Sequence, residues 1–325
     1  MNLAFTIATS DYLSQAITVG YSYVEHNPED KFVIYLFDRI QGRFDSSQFL
    51  PLEIIEVDTS QIENFDEMLI KYNLFELLTA IKPSISLMAM DQFKEYDCYI
   101  FLDSDMLVYN NFSEVNKIID TGIEIIISSH FFSLIPVDGN YPDDKTYFNC
   151  GIYNAGFYVF TQGRNAVAFL NWWQERLKTE CLLDFSRGLF YEQVWLNMVP
   201  IYFENVSIIK HPGFNVGYWN FHERALTVAG DSELRVNEDY PLVFFHFSGY
   251  DIHNPDILSK FQNRYTFENK PNMKQLFDNY RDVLIANETN ELSGLKCYYK
   301  PLVRQPIKRS FVQKAKSKVG RLFLE

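Results

Sequence analysis

Five apolar runs of six or seven residues punctuate the first 130 residues: 3–8 (LAFTIA), 32–38 (FVIYLFD), 52–57 (LEIIEV), 97–103 (DCYIFLD) and 123–129 (IEIIISS). Each reads as a buried strand, because short runs rich in β-branched and aromatic residues suit a covered sheet. Between the first two lies TSDYLSQAITVGYSYVEH, which opens with Ser10 or Asp11 as a candidate helix cap. It places Leu13, Ala16, Ile17, Gly20, Tyr21 and Val24 at helical spacing. Residues 76–93 also read as helical, with Pro83 breaking or bending the segment. Strands alternating with helices predict an α/β sheet with helices on its faces. In such sheets ligands bind beyond the carboxyl ends of the strands. Thr9, Ser10 and Asp11 follow one such end, and Asp103 and Asp105 follow another.

The pattern loosens after residue 130. Residues 130–150 read as a loop, with turn signals at Asp138-Gly139 and Pro142-Asp143. A strand is expected over 156–160, helices over 165–180 and 189–198, and a short strand over 243–247 (VFFHF). Repeats and low-complexity segments are absent, and composition does not break before about residue 296. A chain of 325 residues can bury roughly 75% of its unfolded surface. Most of the 29 Phe and 21 Tyr are therefore expected in the core.

Cysteine usage and charge narrow the setting. Cys98, Cys150, Cys181 and Cys297 are scattered without a CxxC pair, and Cys98 and Cys150 read as buried free thiols. The opening MNLAFTIATSDY has no basic leader, so no signal peptide is expected, and no 18-residue apolar stretch offers a membrane span. A reducing cytoplasm fits best. The net charge of −13 is uneven. Residues 296–325 carry nine Lys or Arg and one Glu, net +8, whereas the remaining residues carry a net −21. So acidic a body excludes general nucleic-acid binding, which needs a basic face.

The stretch YIFLDSDMLVY sets Asp103 and Asp105 one residue apart where a buried strand ends. Two like charges on one turn repel unless solvent or a cation separates them. A D-x-D turn can therefore be a solvated loop tip, or it can place two hard oxygens on Mg²⁺ or Mn²⁺ shared with a substrate phosphate. Haloacid-dehalogenase-type phosphatases also carry D-x-D after an apolar strand. They usually continue with Gly-Thr or a similar small pair on the first strand, whereas Met106-Leu107 follows here after about 100 residues.

Further stretches in family order accompany this turn. They are FTIATSDYLSQAITVGYSYVEHNP, IFLDSDMLV, CGIYNAGFYVF with its Asn154-Ala155-Gly156, and FFHFSGY with His246 and Gly249. Together they resemble GT-A-fold glycosyltransferases, in particular family-8-like and related uncharacterised bacterial sugar transferases. YEQVWLN and HPGFNVGYWNFHER also look like the uncharacterised group. The resemblance implies an α/β, GT-A-type (Rossmann-like) mixed sheet flanked by helices over residues 1–295. The nucleotide-binding half would span about 1–130 and the acceptor and sugar half about 131–295.

By the same resemblance Asp103, Asp105 and His246 would hold a divalent cation, and the imidazole favours manganese over magnesium. Thr9, Asp11, Tyr12, Lys82, Ser104 and Gly249 would contact the nucleotide-sugar donor, with a UDP-sugar as first candidate. Asn154 and Gly156 would line the sugar pocket, with Glu192 and Gln193 near the reacting carbon and Trp219 and Asn220, beside Asn215, on a sugar or diphosphate loop. Each has a plainer reading. His246 can be a core histidine, Lys82 a solvated helix lysine, Asp11 a cap, Asn154-Gly156 a turn and Glu192-Gln193 an exposed helix face. The sequence also departs from the family, which continues its H-x-x-G with Lys-Pro where Ile252-His253 stands here. His253 or another cation would have to replace that lysine.

The activity implied is transfer of a sugar to a glycan, lipid-linked or protein-linked acceptor in surface glycan synthesis. Retention of configuration is favoured, with Glu192 as the base should the reaction invert. A phosphatase, or a non-catalytic nucleotide-sugar binder of the same fold, stands as the alternative. Residues 296–325 form a basic C-terminal segment. Phe311, Val312, Ala315, Val319, Leu322 and Phe323 fall on one helical face, with Lys314, Lys316, Lys318 and Arg321 mostly around it. A helix of that kind can lie on an anionic membrane surface, which would place a cytoplasmic enzyme at the inner face of the membrane.

Overall fold

A computed structural model describes residues 1–39, 44–228, 233–288, 292 and 294–305. The N-terminal part, up to about residue 130, contributes strands β1 (Asn2–Ala8), β2 (Lys31–Leu36), β3 (Glu53–Glu56), β4 (Cys98–Leu102), β5 (Met106–Val108) and β6 (Ile125–Ser129). Its helices are α1 (Leu13–His26), α2 (Phe65–Lys71), α3 (Leu74–Ala80), α4 (Lys82–Gln92) and α5 (Ser113–Ile119). Then come α6 (Asp144–Cys150), β7 (Tyr153–Thr161), α7 (Arg164–Glu180) and the hairpin β8 (Leu183–Asp184) and β9 (Leu189–Phe190). Helix α8 (Val199–Tyr202), β10 (Val206–Ile208), β11 (Leu226–Val228), β12 (Leu234–Val236), β13 (Tyr240–Pro241), β14 (Phe244–His246) and α9 (Asn272–Asn287) complete the order.

Seven strands make a mixed sheet in the order β10-β6-β7-β4-β1-β2-β3. Strands β4, β1, β2 and β3 run parallel, while β7 lies antiparallel between β4 and β6. Successive side chains of a strand point to opposite faces, and β1 divides its residues accordingly. Leu3 and Phe5 enter the layer built with Ile85, Leu170 and Trp173, while Ala4 and Ala8 face Leu13, Ala16 and Ile17 of α1. Full burial of a Phe or Leu side chain contributes about 1.5–3 kcal/mol. Both faces are thus closed, and the parallel strands expose their carboxyl ends along one edge.

The expected break near Pro83 is present, and the local elements depart from the sequence reading at three other places. Residues 76–93 split into α3 and α4, joined at Ile81. Pro83 lies in the first turn of α4, where its missing N–H costs little. The expected loop 130–150 contains α6, started by reciprocal bonds between Asp143 and Thr146. Residues 189–198 are not an α-helix. Leu189 and Phe190 pair as strand, Tyr191 sits at φ +49°, and Gln193–Met198 is a 3₁₀ turn. Neither Ser10 nor Asp11 caps α1. Both belong to a 3₁₀ turn (Ser10–Tyr12), and the Ser10 hydroxyl donates to Asp38 instead.

All four cysteines are buried and free. Among the described residues no helix is long and apolar enough to cross a membrane. Cys297, Tyr299 and Val303 are buried against the body, with Tyr299 stacked on Phe37 at 4.4 Å. The amphipathic face assigned to 311–323 lies outside the described residues.

Candidate active site

Strand β4 delivers Asp103 to the carboxyl edge, where its N–H donates to the carbonyl of Gly156 at 2.8 Å. The chain turns through Ser104 and re-enters as β5, which pairs antiparallel with β14 so that Met106 faces His246. The N–H of Phe247 donates to the carbonyl of Asp105 at 2.8 Å and locks that register. Helix α9 backs the ribbon through Tyr280, stacked on Phe247 at 3.8 Å. This pairing carries an imidazole from late in the chain to the acidic turn.

One donor atom from each of Asp103, Asp105 and His246 lies within 4.8 Å of the others. His246 is buried, and both carboxylates are about a third exposed. Asn215 donates its amide to Ser128 Oγ at 3.2 Å, which turns its carbonyl toward His246 Nδ1 at 3.3 Å. Nδ1 therefore carries the proton, the outer-shell bond that fixes a ligating histidine's tautomer. Nε2 then faces Asp105 Oδ1 at 3.0 Å. A ring nitrogen and a carboxylate oxygen share such a gap with a proton or a metal ion between them. Burial alone would push the Asp105 carboxyl up, but His246, and Lys82 more weakly, hold it below the usual carboxylate range.

Gly156 forms the floor of this cluster. A β-carbon there would stand 2.6 Å from His246 Cε1 and 2.7 Å from Asp103 Oδ2, inside the space an ion would share. Two hard carboxylates, one imidazole and a cradle kept open by glycine fit a divalent cation.

Lys82 is not a solvated helix lysine. It is buried at 5% exposure, and its ammonium reaches Asp103 at 3.0 Å, Glu192 at 2.9 Å and the Ala155 carbonyl at 3.1 Å. Burial would lower its pKa, but Asp103 and Glu192 outweigh that and hold it well above the ordinary lysine range. Glu192 is equally buried rather than on an exposed helix face. Gln193 bridges backbone, accepting from Ala155 N–H at 3.3 Å and donating to the Cys150 carbonyl at 2.8 Å.

Asn154-Ala155-Gly156 is no tight turn but part of β7, at a break in register against β6 between Ile127 and Ser128. Asn154 accepts from Gly156 N–H at 3.0 Å and donates to His130 Nε2 at 3.2 Å. Burial pushes the His130 imidazole down to about 4, so it stays neutral at physiological pH, and its Nδ1 donates to the Ile152 carbonyl at 2.8 Å. The sequence reading passed over His130. Its signal was position, the first ionisable residue after the strand run ending at Ser129.

The remaining candidates divide. Trp219 is buried with its ring edge-on to His246 at 5.1 Å. Asn220 is fully buried and braces the loop, donating to the carbonyls of His130 and Asn215. Gly249 takes φ +76° beside Ser259 and Phe261, a conformation few other residues tolerate. His253 is exposed on a turn with its N–H on Asp251 and is not part of the cluster. Thr9 is buried, and its hydroxyl has no hydrogen-bond partner among the described residues. Tyr12 is half exposed, and Asp11 pairs with Lys300 at 2.6 Å.

No family model matches the chain. Two uncharacterised Bacillus subtilis (strain 168) proteins are similar in sequence. YfnF is 25% identical over 253 residues, covering 76% of this chain and 81% of that protein. YfnD is 22% identical over 254 residues, covering 76% and 77%. Among solved structures, the galactosyltransferase LgtC in complex with donor and acceptor sugar analogues aligns with a TM-score of 0.50 at 14% identity. That alignment covers 90% of this chain and 99% of LgtC. The chain has a GT-A-type glycosyltransferase fold.

Proposed function

We propose that the protein is a metal-dependent glycosyltransferase that takes a sugar from a nucleotide-sugar donor, with a UDP-sugar the first candidate. The observation that carries this reading is the convergence of Asp103, Asp105 and His246 around the Gly156 cradle at the sheet edge where ligands bind. The LgtC-like fold supports it. A divalent ion held there, manganese before magnesium, would neutralise charge developing on the diphosphate leaving group.

The chain's own residues supply the rest. Lys82 holds Asp103 in place and keeps positive charge beside the cluster. Asn154 and Gly156 bound the sugar side, with His130 fixing the Asn154 amide. Tyr12, Thr9, Asp11 and Ser104 stand on the donor side, and Gly249 shapes the turn after His246. Glu192 is engaged with the buried Lys82 ammonium at 2.9 Å, which leaves its carboxylate turned to the lysine rather than free to meet an incoming hydroxyl. That favours retention, in which the departing phosphate takes the proton. The acceptor is a glycan, lipid-linked or protein-linked, in surface glycan synthesis, and the basic segment beyond residue 305 would bring the enzyme to an anionic membrane.

A screen of UDP-, GDP- and dTDP-sugars with and without Mn²⁺ tests the reading. One donor should raise the melting temperature only when Mn²⁺ is present and should be slowly hydrolysed. At a hundredfold excess over Kd the native state gains about 2.7 kcal/mol. Binding without hydrolysis or transfer would leave a nucleotide-sugar binder. Phosphate release from a phosphomonoester, with no donor bound, would point to the phosphatase.

A further inference from the structure

The segment after α9 returns to the carboxyl edge of the sheet two strands away from the acidic turn. The sheet order runs β4-β1-β2, so the ends of β1 and β2 lie successively farther from Asp103. On the other side of β4 the edge is filled by β7 with Asn154 and Gly156 and by the buried Lys82–Glu192 pair. On the donor reading, a nucleotide with its diphosphate at the end of β4 would have room for its nucleoside over β1 toward β2. There the chain has placed residues 296–304. The N–H of Tyr298 donates to Asp38 at 2.8 Å, and Lys300 pairs with Asp11 at 2.6 Å. Arg304 N–H donates to the Tyr72 carbonyl at 2.9 Å, anchoring the far end.

Two further features mark this place as more than a packed terminus. A cavity of about 530 Å³ opens between Ser10, Asp11 and Ser14 on one wall and Glu288, Lys296 and Lys300 on the other. That is within the ordinary range for small-molecule sites. Two aromatic rings also remain accessible beside the ion pair. Tyr298 is 41% exposed, with the Arg39 guanidinium 4.2 Å over its ring, and Tyr12 is 51% exposed. Planar bases are held by stacking on aromatic rings and by hydrogen bonds to their polar edges.

We infer that residues 296–304 form the outer wall of the nucleobase subsite, with Lys300, set by Asp11, reading the polar edge of the base and Tyr298 stacking on it. The inference rests on the donor reading above and adds to it the residues that choose the nucleotide. Asp11 alone would offer a base only acceptors. The Asp11–Lys300 pair offers an acceptor and donors side by side, which suits a base edge carrying both.

The test uses the full chain and its Lys300→Ala and Tyr298→Ala variants. Lys300 is 63% exposed, so its truncation opens no core cavity. Affinities are measured for UDP, CDP, GDP and ADP with Mn²⁺, and for Mn²⁺-pyrophosphate as a base-free probe. Both variants should bind the preferred diphosphate at least tenfold more weakly and discriminate less among bases, with pyrophosphate affinity unchanged. Nucleotide affinities and ranking equal to the parent's would overturn the inference, as would an equal loss for pyrophosphate. A parent chain that binds Mn²⁺-pyrophosphate but ranks no base above another removes the base subsite and leaves the metal cluster standing. A parent that binds none of these ligands removes the donor reading as well.

Discussion

Exchanging Asp105 for Asn should lower Mn²⁺-dependent donor turnover by about a thousandfold or more while leaving the fold intact. The substitution keeps the shape of the side chain and leaves the backbone carbonyl of Asp105 free to accept from Phe247, so the β5–β14 pairing survives. What it removes is the charge facing His246 Nε2. An amide presents one weaker oxygen ligand where a carboxylate presents a charged one, and a metal that stabilises a leaving group contributes several kcal/mol to the transition state. About 4 kcal/mol corresponds to a factor of a thousand in rate. Initial rates at saturating Mn²⁺, beside circular dichroism of both proteins, check it. Turnover within tenfold of the parent would contradict the assignment.

Lys82→Met should instead act mainly on stability, costing about 3–5 kcal/mol, the scale for breaking a buried ion pair from one side. The lysine is almost wholly buried and serves two carboxylates and the Ala155 carbonyl. Methionine fills the space but leaves the Glu192 charge without its partner. A second change, Glu192→Leu, removes the stranded charge, so the double variant should recover much of the loss. The folded-state pKa of Lys82 is raised, so its contribution is fully present below the ordinary lysine value and fades only as pH rises past it. Urea unfolding at pH 7 therefore measures it in full. A single variant as stable as the parent would show that the pair contributes nothing.

The strands were legible because parallel strands covered on both sides leave near-continuous apolar runs, and β1 to β4 and β6 lie where those runs are. Pro83 was legible for the same local reason. The pairing that builds the site was not. Strand β5 has three residues, and its register against β14 is set by contacts far apart in sequence, which no local pattern encodes. Sequence spacing made Leu189 to Met198 look helical, but Tyr191 at positive φ interrupts the run and Gln193 is spent on backbone groups of β7 and α6. Helix α6 carried its cap, Asp143 and Thr146, in plain view, and the neighbouring Gly and Pro turn signals outweighed it. Asp103, Asp105, His246 and Gly156 could be named from a resemblance. That Lys82 and Glu192 are buried against one another could not, because burial of a charge depends on the partner that tertiary structure supplies. The rise in basic charge after residue 295 likewise hides Cys297, Tyr299 and Val303, which pack into the body.

Pulsed electron-spin-echo spectroscopy of Mn²⁺ bound to the protein tests the central claim most directly. The account predicts a single bound ion whose echo carries the nitrogen modulation of one imidazole, lost in His246→Gln and strongly weakened in occupancy by Asp105→Asn. A bound ion without nitrogen modulation, or one indifferent to both substitutions, would contradict it.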